Sequence, residues 1–94
     1  MANITVDEVR RLLITKSIEN SNGMDFSGLD LSGLDFSGLT IASANFSNTR
    51  CIKTKFAKNF LAKSNFQGAN LTEADLSTAN LREADLSRAT LENT

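Results

Sequence analysis

A five-residue repeat runs through residues 24–93 without an insertion and begins MDFSG LDLSG LDFSG. The third residue of each unit, which we call the centre, is never polar or charged in any of the fourteen units. The residue two places before each centre forms a second series that is mostly small or apolar, and the other three places are mostly polar or glycine. The centres are Phe26, Leu31, Phe36, Ile41, Phe46, Cys51, Phe56, Leu61, Phe66, Leu71, Leu76, Leu81, Leu86 and Leu91.

Neither a continuous helix nor a continuous strand can present this repeat on one face. An α-helix turns about 140° over five residues, modulo a full turn, and would wind the centres around its surface. A strand would send successive centres to opposite faces, because its side-chain period is two. The pattern therefore predicts short extended segments separated by bends, with every centre pointing at one axis. Such a fold is a solenoid whose coils stack through main-chain hydrogen bonds.

The most regular units, ANLTE ADLST ANLRE ADLSR at residues 69–88, resemble the A(D/N)LXX motif of the pentapeptide-repeat family. The resemblance implies an all-β fold, a right-handed quadrilateral parallel β-helix with four units per coil. The fourteen units would then make about three and a half coils. The resemblance also brings two further expectations: members of the family often dimerise through the C-terminal coil, and they are especially abundant in cyanobacteria.

Two features of the residues bear on the number of sides. Phenylalanine centres occupy alternate units, so an even number of sides stacks Phe26 on Phe46 and Phe36 on Phe56, whereas three or five sides would mix the columns. A spacing of 25 between outward charges gives four opposite pairs and one like pair, so the charges favour a spacing of 20 only slightly. The opposite pairs at a spacing of 20 are Asp30/Arg50, Asp35/Lys55, Lys55/Asp75, Lys53/Glu73 and Lys63/Glu83.

Residues 1–23 precede the repeat and are predicted to form an N-terminal capping α-helix and a loop, leaving residues 24–94 for the solenoid. Thr5 and Glu8 have the spacing of a capping box, and Ile4 and Val9 that of a hydrophobic staple. The helix is expected to run to about Lys16, with a loop over residues 20–23. The apolar stripe of the helix consists of Val6, Val9, Leu12 and Leu13. It would cover the apolar ring of the first coil, which consists of Met24, Leu29, Leu34 and Leu39.

The last coil has no comparable lid in this sequence, and unpaired strand edges recruit partners unless they are protected. We predict a homodimer through the face that contains Leu76, Leu81, Leu86 and Leu91. Two alternatives stay open: short, polar-edged coils tolerate water, or the chain is a fragment of a longer rod.

The composition excludes most catalytic chemistry. The chain has no histidine and a single cysteine, which rules out His-activated nucleophiles, His-ligated zinc, intramolecular disulfides and multi-cysteine metal sites. The carboxylates Glu73, Asp75, Glu83 and Asp85 are expected on a convex surface without a cleft. We therefore expect no enzyme, no cofactor and no metal.

The N-terminus lacks the features of a signal peptide, and no stretch approaches the roughly 20 apolar residues of a membrane span. These features predict a cytoplasmic protein without membrane contact. Cys51 is expected to be a buried filler, because it occupies a centre. Asp25, Asp30 and Asp35 would face three directions on a four-sided rod and could not share a calcium ion.

Two sets of outward residues are candidate partner contacts. The basic residues Arg50, Lys53, Lys55, Lys58 and Lys63 would spread around the rod, and four of the five have an acidic residue twenty positions away, so a nucleic-acid site is unlikely on this pattern. Phe60 occupies an outward slot that otherwise holds Asp, Asn, Thr, Arg or Lys, which indicates a local bulge, packing over a neighbour, or an exposed anchor for another protein. Asn59 would point inward and is expected to find an internal hydrogen bond.

The function predicted from these features is a non-enzymatic protein-interaction or scaffold module with an unidentified protein partner. The alternative comes from the resemblance, since some relatives are DNA mimics that bind type II topoisomerases such as gyrase. Those relatives are long and strongly acidic, whereas this chain has 94 residues and a net charge of −1.

Overall fold

The computed structural model describes residues 4–15, 17–19 and 21–94, which form one helix, α1 (Val6–Thr15), followed by a stack of coils. Isolated parallel β-bridges join the coils, and each bridge links a residue to the residue twenty positions further on, from Asp25↔Asn45 to Asn70↔Thr90. Four five-residue units therefore complete one coil. Within the described residues no strand is longer than one bridging residue. The fold is a β-helix solenoid with minimal strands.

Main-chain hydrogen bonds hold each coil to the next in both directions. The Phe26 N–H donates to the Asn45 carbonyl over 2.7 Å, and the Asn45 N–H donates back to the Met24 carbonyl over 2.8 Å. A third bond links the corners, from the Gly28 N–H to the Ser47 carbonyl over 3.0 Å. This set recurs along the repeat, so the main chain of a solenoid with little regular strand still pairs its polar groups.

Each unit turns its corner at the fifth residue, where φ is positive in all fourteen units. The turn is closed by a hydrogen bond from the first residue of the next unit to the centre, as from the Leu29 N–H to the Phe26 carbonyl over 3.2 Å. Glycine occupies this place in four units, and ten units carry another residue with φ between 53° and 63°. A non-glycine residue costs about 1 kcal/mol in this conformation, which coil stacking must offset.

The second residue of each unit explains the D/N preference in the repeat. The Asp25 Oδ1 accepts the Ser27 N–H over 2.9 Å, a bond that supports the following corner. The same bond to the N–H two residues on is made by Asp25, Asp30, Asp35, Asn45, Asn65, Asn70, Asp75, Asn80 and Asp85. The sequence therefore places a local hydrogen-bond acceptor just before most corners.

The phenylalanine centres stack in two columns, as their alternation predicts. The Phe26 and Phe46 rings lie 4.8 Å apart and the Phe36 and Phe56 rings 5.2 Å apart. Rings of opposite columns meet edge to face, with centroids 5.5 to 6.0 Å apart. Every centre from Phe26 to Leu71 is fully buried. The core is therefore a continuous aromatic and aliphatic column along the axis.

Helix α1 begins with the predicted capping box. The Thr5 N–H donates to Glu8 Oε1 over 2.9 Å, and the Glu8 N–H donates to Thr5 Oγ1 over 3.2 Å. Hydrogen bonds from the main chain and hydroxyl of Thr5 hold the pKa of Glu8 below its ordinary value. The helix ends at Thr15, and the predicted helix end at Lys16 and loop start at Asn20 lie outside the described residues.

The helix covers the apolar ring of the first coil. Val9 is fully buried, while Leu12 and Leu13 are partly buried against the same cluster as Met24 and Leu34. The connection to the repeat adds contacts that the sequence analysis did not assign. Ile18 is fully buried, and Glu19 Oε2 accepts the Thr40 N–H over 2.8 Å.

Candidate interaction surfaces

Phe60 lies on a regular part of the solenoid. It bridges Thr40 in the coil above and Asn80 in the coil below. Its N–H donates to the Leu39 carbonyl over 2.9 Å, and its carbonyl accepts the Ile41 N–H over 3.1 Å. These bridges exclude the local bulge, one of the three alternatives that the sequence leaves open for Phe60. The side chain is 40% exposed, so the repeat presents a large apolar group to solvent on a flat face.

Asn59 points into the solenoid, as predicted, and is 1% exposed. Its Nδ2 donates to the Leu39 carbonyl over 3.1 Å, which confirms the expected internal hydrogen bond. Among the buried side-chain oxygen and nitrogen atoms of the described residues, Asn59 Oδ1 and Ser64 Oγ have no hydrogen-bond partner. In the same coil as Asn59, the buried Thr54 Oγ1 donates to the Leu31 carbonyl of the preceding coil over 2.7 Å. The second coil thus has a partly polar interior directly beneath Phe60.

The basic residues encircle the second coil and do not converge. Arg50 and Lys55 occupy bridging positions of successive units, and Lys53, Lys58 and Lys63 occupy corners. Arg50 Nε lies 3.9 Å from Asp30 Oδ2, and Lys53 Nζ lies 3.9 Å from Glu73 Oε1, so two of the predicted cross-coil pairs are present. Both pairs are largely exposed and contribute little to stability.

One side of the solenoid, which we call the Phe60 face, combines the exposed aromatic with basic side chains. It consists of residues 38–43, 58–63 and 78–83, which the twenty-residue register stacks above one another. Thr40, Phe60 and Asn80 are its bridging residues. Its charged residues are Lys58, Lys63, Arg82 and Glu83.

A groove of about 400 Å³ lies between α1 and the first coil. None of Glu73, Asp75, Glu83 and Asp85, the carboxylates predicted to lie on a convex surface, lines this groove, and the sequence pattern does not predict it. Ile14, which is 80% accessible, extends the apolar surface of α1 past the partly buried Leu13. The residues around the groove are Arg10, Leu13, Ile14, Gly33, Leu34, Asp35 and Ser37. The polar groups in this lining are the Arg10 guanidinium, the Asp35 carboxylate and the Ser37 hydroxyl, and Asp35 Oδ1 accepts the Ser37 N–H over 2.9 Å.

The four leucines predicted to mediate self-association lie in the last coil and differ in their exposure to solvent. Leu76, Leu81 and Leu86 are partly buried against the core, and Leu91 is 48% exposed. In the described part of the chain, the series of corner N–H bonds to the next coil runs as far as Glu73, which donates to the Glu92 carbonyl over 2.9 Å.

Cys51 is buried as predicted, with its sulfur 3.3 Å from Thr49 Oγ1. Desolvation raises the pKa of its thiol to about 11, so it is protonated at neutral pH. Within residues 4–15, 17–19 and 21–94, no group of three potential metal ligands is close enough to hold an ion. No helix in this described part is sufficiently long and apolar to span a bilayer.

A helix-capped stack of coils built from five-residue units defines a repeat protein of the β-helix class. The sequence model of the family described as pentapeptide repeats matches residues 61–94 with 8 copies of the repeat. Residues 61–94 therefore carry the repeat of the pentapeptide-repeat family, and the coils of this chain begin well before the matched region.

Five chains of solved structure match this chain. One is a pentapeptide repeat protein from the Arabidopsis thaliana thylakoid lumen, with 23% identity and a TM-score of 0.31. The match covers 71% of the present chain and 61% of the other, so the present chain spans about three fifths of that protein's length. No curated protein matches the chain.

Proposed function

We propose that the protein is a non-enzymatic interaction or scaffold module that binds another protein through the Phe60 face. In this proposal the solenoid is the right-handed, four-sided β-helix that the family resemblance implies. The exposure of Phe60 on an uninterrupted bridge ladder is the observation that carries the proposal. A half-exposed aromatic on a rigid face supplies apolar contact area at little conformational cost.

The chemistry of the surface supports binding over catalysis. The groove beside α1 brings together Arg10 and Asp35 but no pair of carboxylates. The cysteine is buried and protonated at neutral pH, so it offers no accessible thiolate. Both features favour a role in which the protein presents an ordered surface.

The test is a pull-down from a native lysate of the source cells with wild-type protein and with the Phe60→Ala and Phe60→Asn variants as baits. Asparagine is the residue that other units carry at this position, where its side chain caps the next corner, so Phe60→Asn should keep the fold. We expect a partner that the wild type retains and both variants lose. Equal recovery by wild type and variants would refute the Phe60 face as the binding surface.

The face formed by Leu76, Leu81, Leu86 and Leu91 is the second contact surface that we propose, and its partner is another copy of the chain. The exposure of Leu91 beside three partly buried leucines supports this contact. Light scattering is expected to give a dimer mass for wild type and a monomer mass for Leu86→Glu and Leu91→Glu. A wild-type mass equal to one chain would remove the proposal.

The topoisomerase alternative has no comparable support. A DNA mimic needs a surface of closely spaced negative charge, whereas basic residues encircle the second coil here. We therefore expect no inhibition of gyrase supercoiling at stoichiometric protein. Inhibition or drug protection in that assay would revive the alternative.

A further inference from the structure

We propose that the Phe60 face recognises an acidic protein segment that also carries an apolar side chain. This inference rests on the proposed function and names the chemistry of the partner. The side chains of the bridging residues stand on the flat part of each face.

The Phe60 face differs from the other three in the residues at its bridging positions. The carboxylates of Asp25 and Asp85 lie on one of the other faces, Asp30 on the next, and Asp35 and Asp75 on the third. On the Phe60 face the bridging residues are Thr40, Phe60 and Asn80, none of which is acidic. An anionic partner would therefore meet a bridging carboxylate on each of the other three faces, two of which also carry a bridging cation, Arg50 or Lys55, but it would meet no carboxylate at the centre of the Phe60 face.

Basic residues frame the aromatic side chain. Lys58 and Lys63 occupy the corners before and after Phe60, five residues apart and so separated by at most about 17 Å along the chain. Arg82 lies on the same face in the coil below, since its carbonyl accepts the Lys63 N–H over 2.8 Å. Three basic residues therefore stand on the same face as Phe60, two in its own coil and one in the coil below.

Nearby carboxylates reduce this positive charge only in part. Glu83 occupies the corner one coil below Lys63, and Glu19 reaches the upper edge, where its Oε2 accepts the Thr40 N–H. Lys58 has uncharged residues, Gly38 and Thr78, at the corners one coil above and below. A partner carboxylate should therefore bind most favourably beside Lys58, where no carboxylate at a neighbouring corner competes for the cation.

The geometry favours a protein segment over a nucleic acid. A polyanion long enough to wrap the second coil would pass Arg50 and Lys55, but it would also run beside the carboxylates of Asp30, Asp35 and Asp75, which lie one coil above or below these two cations. A segment that contacts a single face avoids them, and the aromatic at its centre calls for an apolar side chain beside the carboxylates.

The inference is tested by fluorescence anisotropy with a labelled twelve-residue peptide of Asp, Glu and Leu. The matched peptide carries Asn and Gln in place of Asp and Glu, and a twelve-nucleotide single-stranded DNA is the polyanion control. We expect the acidic peptide to bind at least about tenfold more tightly than the neutral peptide, and more tightly than the DNA. Raising NaCl from about 0.05 to 0.5 M should weaken its binding, because the contacts are exposed.

Variants of the full chain locate the site. Phe60→Asn is expected to weaken peptide binding about tenfold, and Lys58→Gln and Lys63→Gln about threefold each. The matched controls Lys53→Gln and Lys55→Gln remove charges of the same coil outside the Phe60 face, and they should change the affinity less than about twofold.

Four outcomes would overturn the inference: no binding of the acidic peptide at about 1 mM, equal binding of the neutral peptide, equal losses in the control variants, or tighter binding of the DNA with the same variant pattern. If the Phe60 variants still lose a cellular partner in the pull-down, the proposed function survives while the inference fails. If wild type and the Phe60 variants recover the same proteins in the pull-down, the proposed function fails independently of the peptide result.

Discussion

The rings of Phe46 and Phe66 lie 4.7 Å apart and within 3° of parallel, one coil above the other. Phe46 also stacks on Phe26 and meets the edges of Phe36 and Phe56, so its ring has four aromatic neighbours. Removing this ring leaves a gap in its own column and removes the edge-to-face contacts with the other column.

We therefore predict that Phe46→Leu lowers the free energy of unfolding by about 1 kcal/mol and Phe46→Ala by about 3 to 5 kcal/mol. The physical reason is the loss of buried apolar area and of ring stacking. The hydrogen bonds between coils keep the neighbouring coils from closing the cavity at Phe46. Urea denaturation followed by circular dichroism measures both values. Phe60→Leu is the matched control on the surface and should change stability by less than about 0.5 kcal/mol; a loss as large as that of Phe46→Leu would contradict the packing described here.

A second prediction concerns two glycines that share a corner conformation but differ in surroundings. A Cβ at Gly68, where φ is +70°, would lie 2.4 Å from Asn48 Oδ1, whereas a Cβ at Gly33, where φ is +76°, meets nothing within 4 Å. Gly33→Ala should cost about 1 kcal/mol through its backbone alone, and Gly68→Ala should cost more because the Asn48 side chain must also move.

Thermal or urea unfolding of the two variants checks this difference, and Asn48→Gly provides the control background. In that background Gly68→Ala and Gly33→Ala should have the same effect. A difference that persists without the Asn48 side chain would show that the contact is not its cause.

The third prediction is a loss of stability in acid. Hydrogen bonds from the hydroxyl and main-chain N–H of Ser77 hold the pKa of Asp75 below its ordinary value, and the same arrangement lowers the pKa of Asp25, Asp30 and Asp85. A lowered pKa in the folded state stabilises the protein above the ordinary value of 3.8, and this contribution is lost as the pH falls below it through the folded pKa.

Replacing these four aspartates by asparagine keeps the side-chain oxygen that caps each corner and removes the titration. We expect the quadruple variant to fold at pH 7 and to lose less stability than wild type between about pH 5 and pH 2. Urea midpoints across that range provide the measurement. Parallel curves for the two proteins would mean that these carboxylates do not couple folding to pH.

The fourth prediction concerns the Cys51 thiol. Because burial raises its pKa from 9.0 to about 11, Cys51 favours folding below about pH 9, and this contribution is lost as the pH rises toward 11. The native thiol should react with a disulfide reagent at pH 8 only at the rate of unfolding, and it should react at once in denaturant. Cys51→Val should show a smaller loss of stability above pH 9, and rapid labelling of the native protein would contradict the burial of this side chain.

Much of the fold follows from the spacing of the apolar residues. The alternation of phenylalanine and aliphatic centres predicts the columns in which Phe26 stacks on Phe46, because only an even number of sides keeps like residues together. Thr5 and Glu8 predict the start of α1, since a capping box depends on residues three apart. Ile18 escaped the analysis because an isolated apolar residue in a connection has no period to identify it.

The candidate surfaces were predictable only in part. Phe60 stands out in the sequence because it breaks the pattern of its slot, but that break is equally compatible with a bulge, and only the bridges to Thr40 and Asn80 exclude one. The groove beside α1 joins Leu13 and Ile14 to Leu34, and no local pattern relates a helix to a coil twenty residues away.

The order of residues alone requires the chain to turn a corner every five residues around an apolar axis, because each unit carries its own inward centre and its own local acceptor before most corners. Which outward residues become neighbours is decided by the hydrogen-bonded register between coils. That register places Arg82 below the unit of Lys58, Phe60 and Lys63, and a shift by one unit would move each coil's side chains to a different face. The Phe60 face therefore exists only in the stacked solenoid, because its residues are far apart in the sequence. Main-chain hydrogen bonds bring them together, and these bonds form in the same way whatever side chains the residues carry.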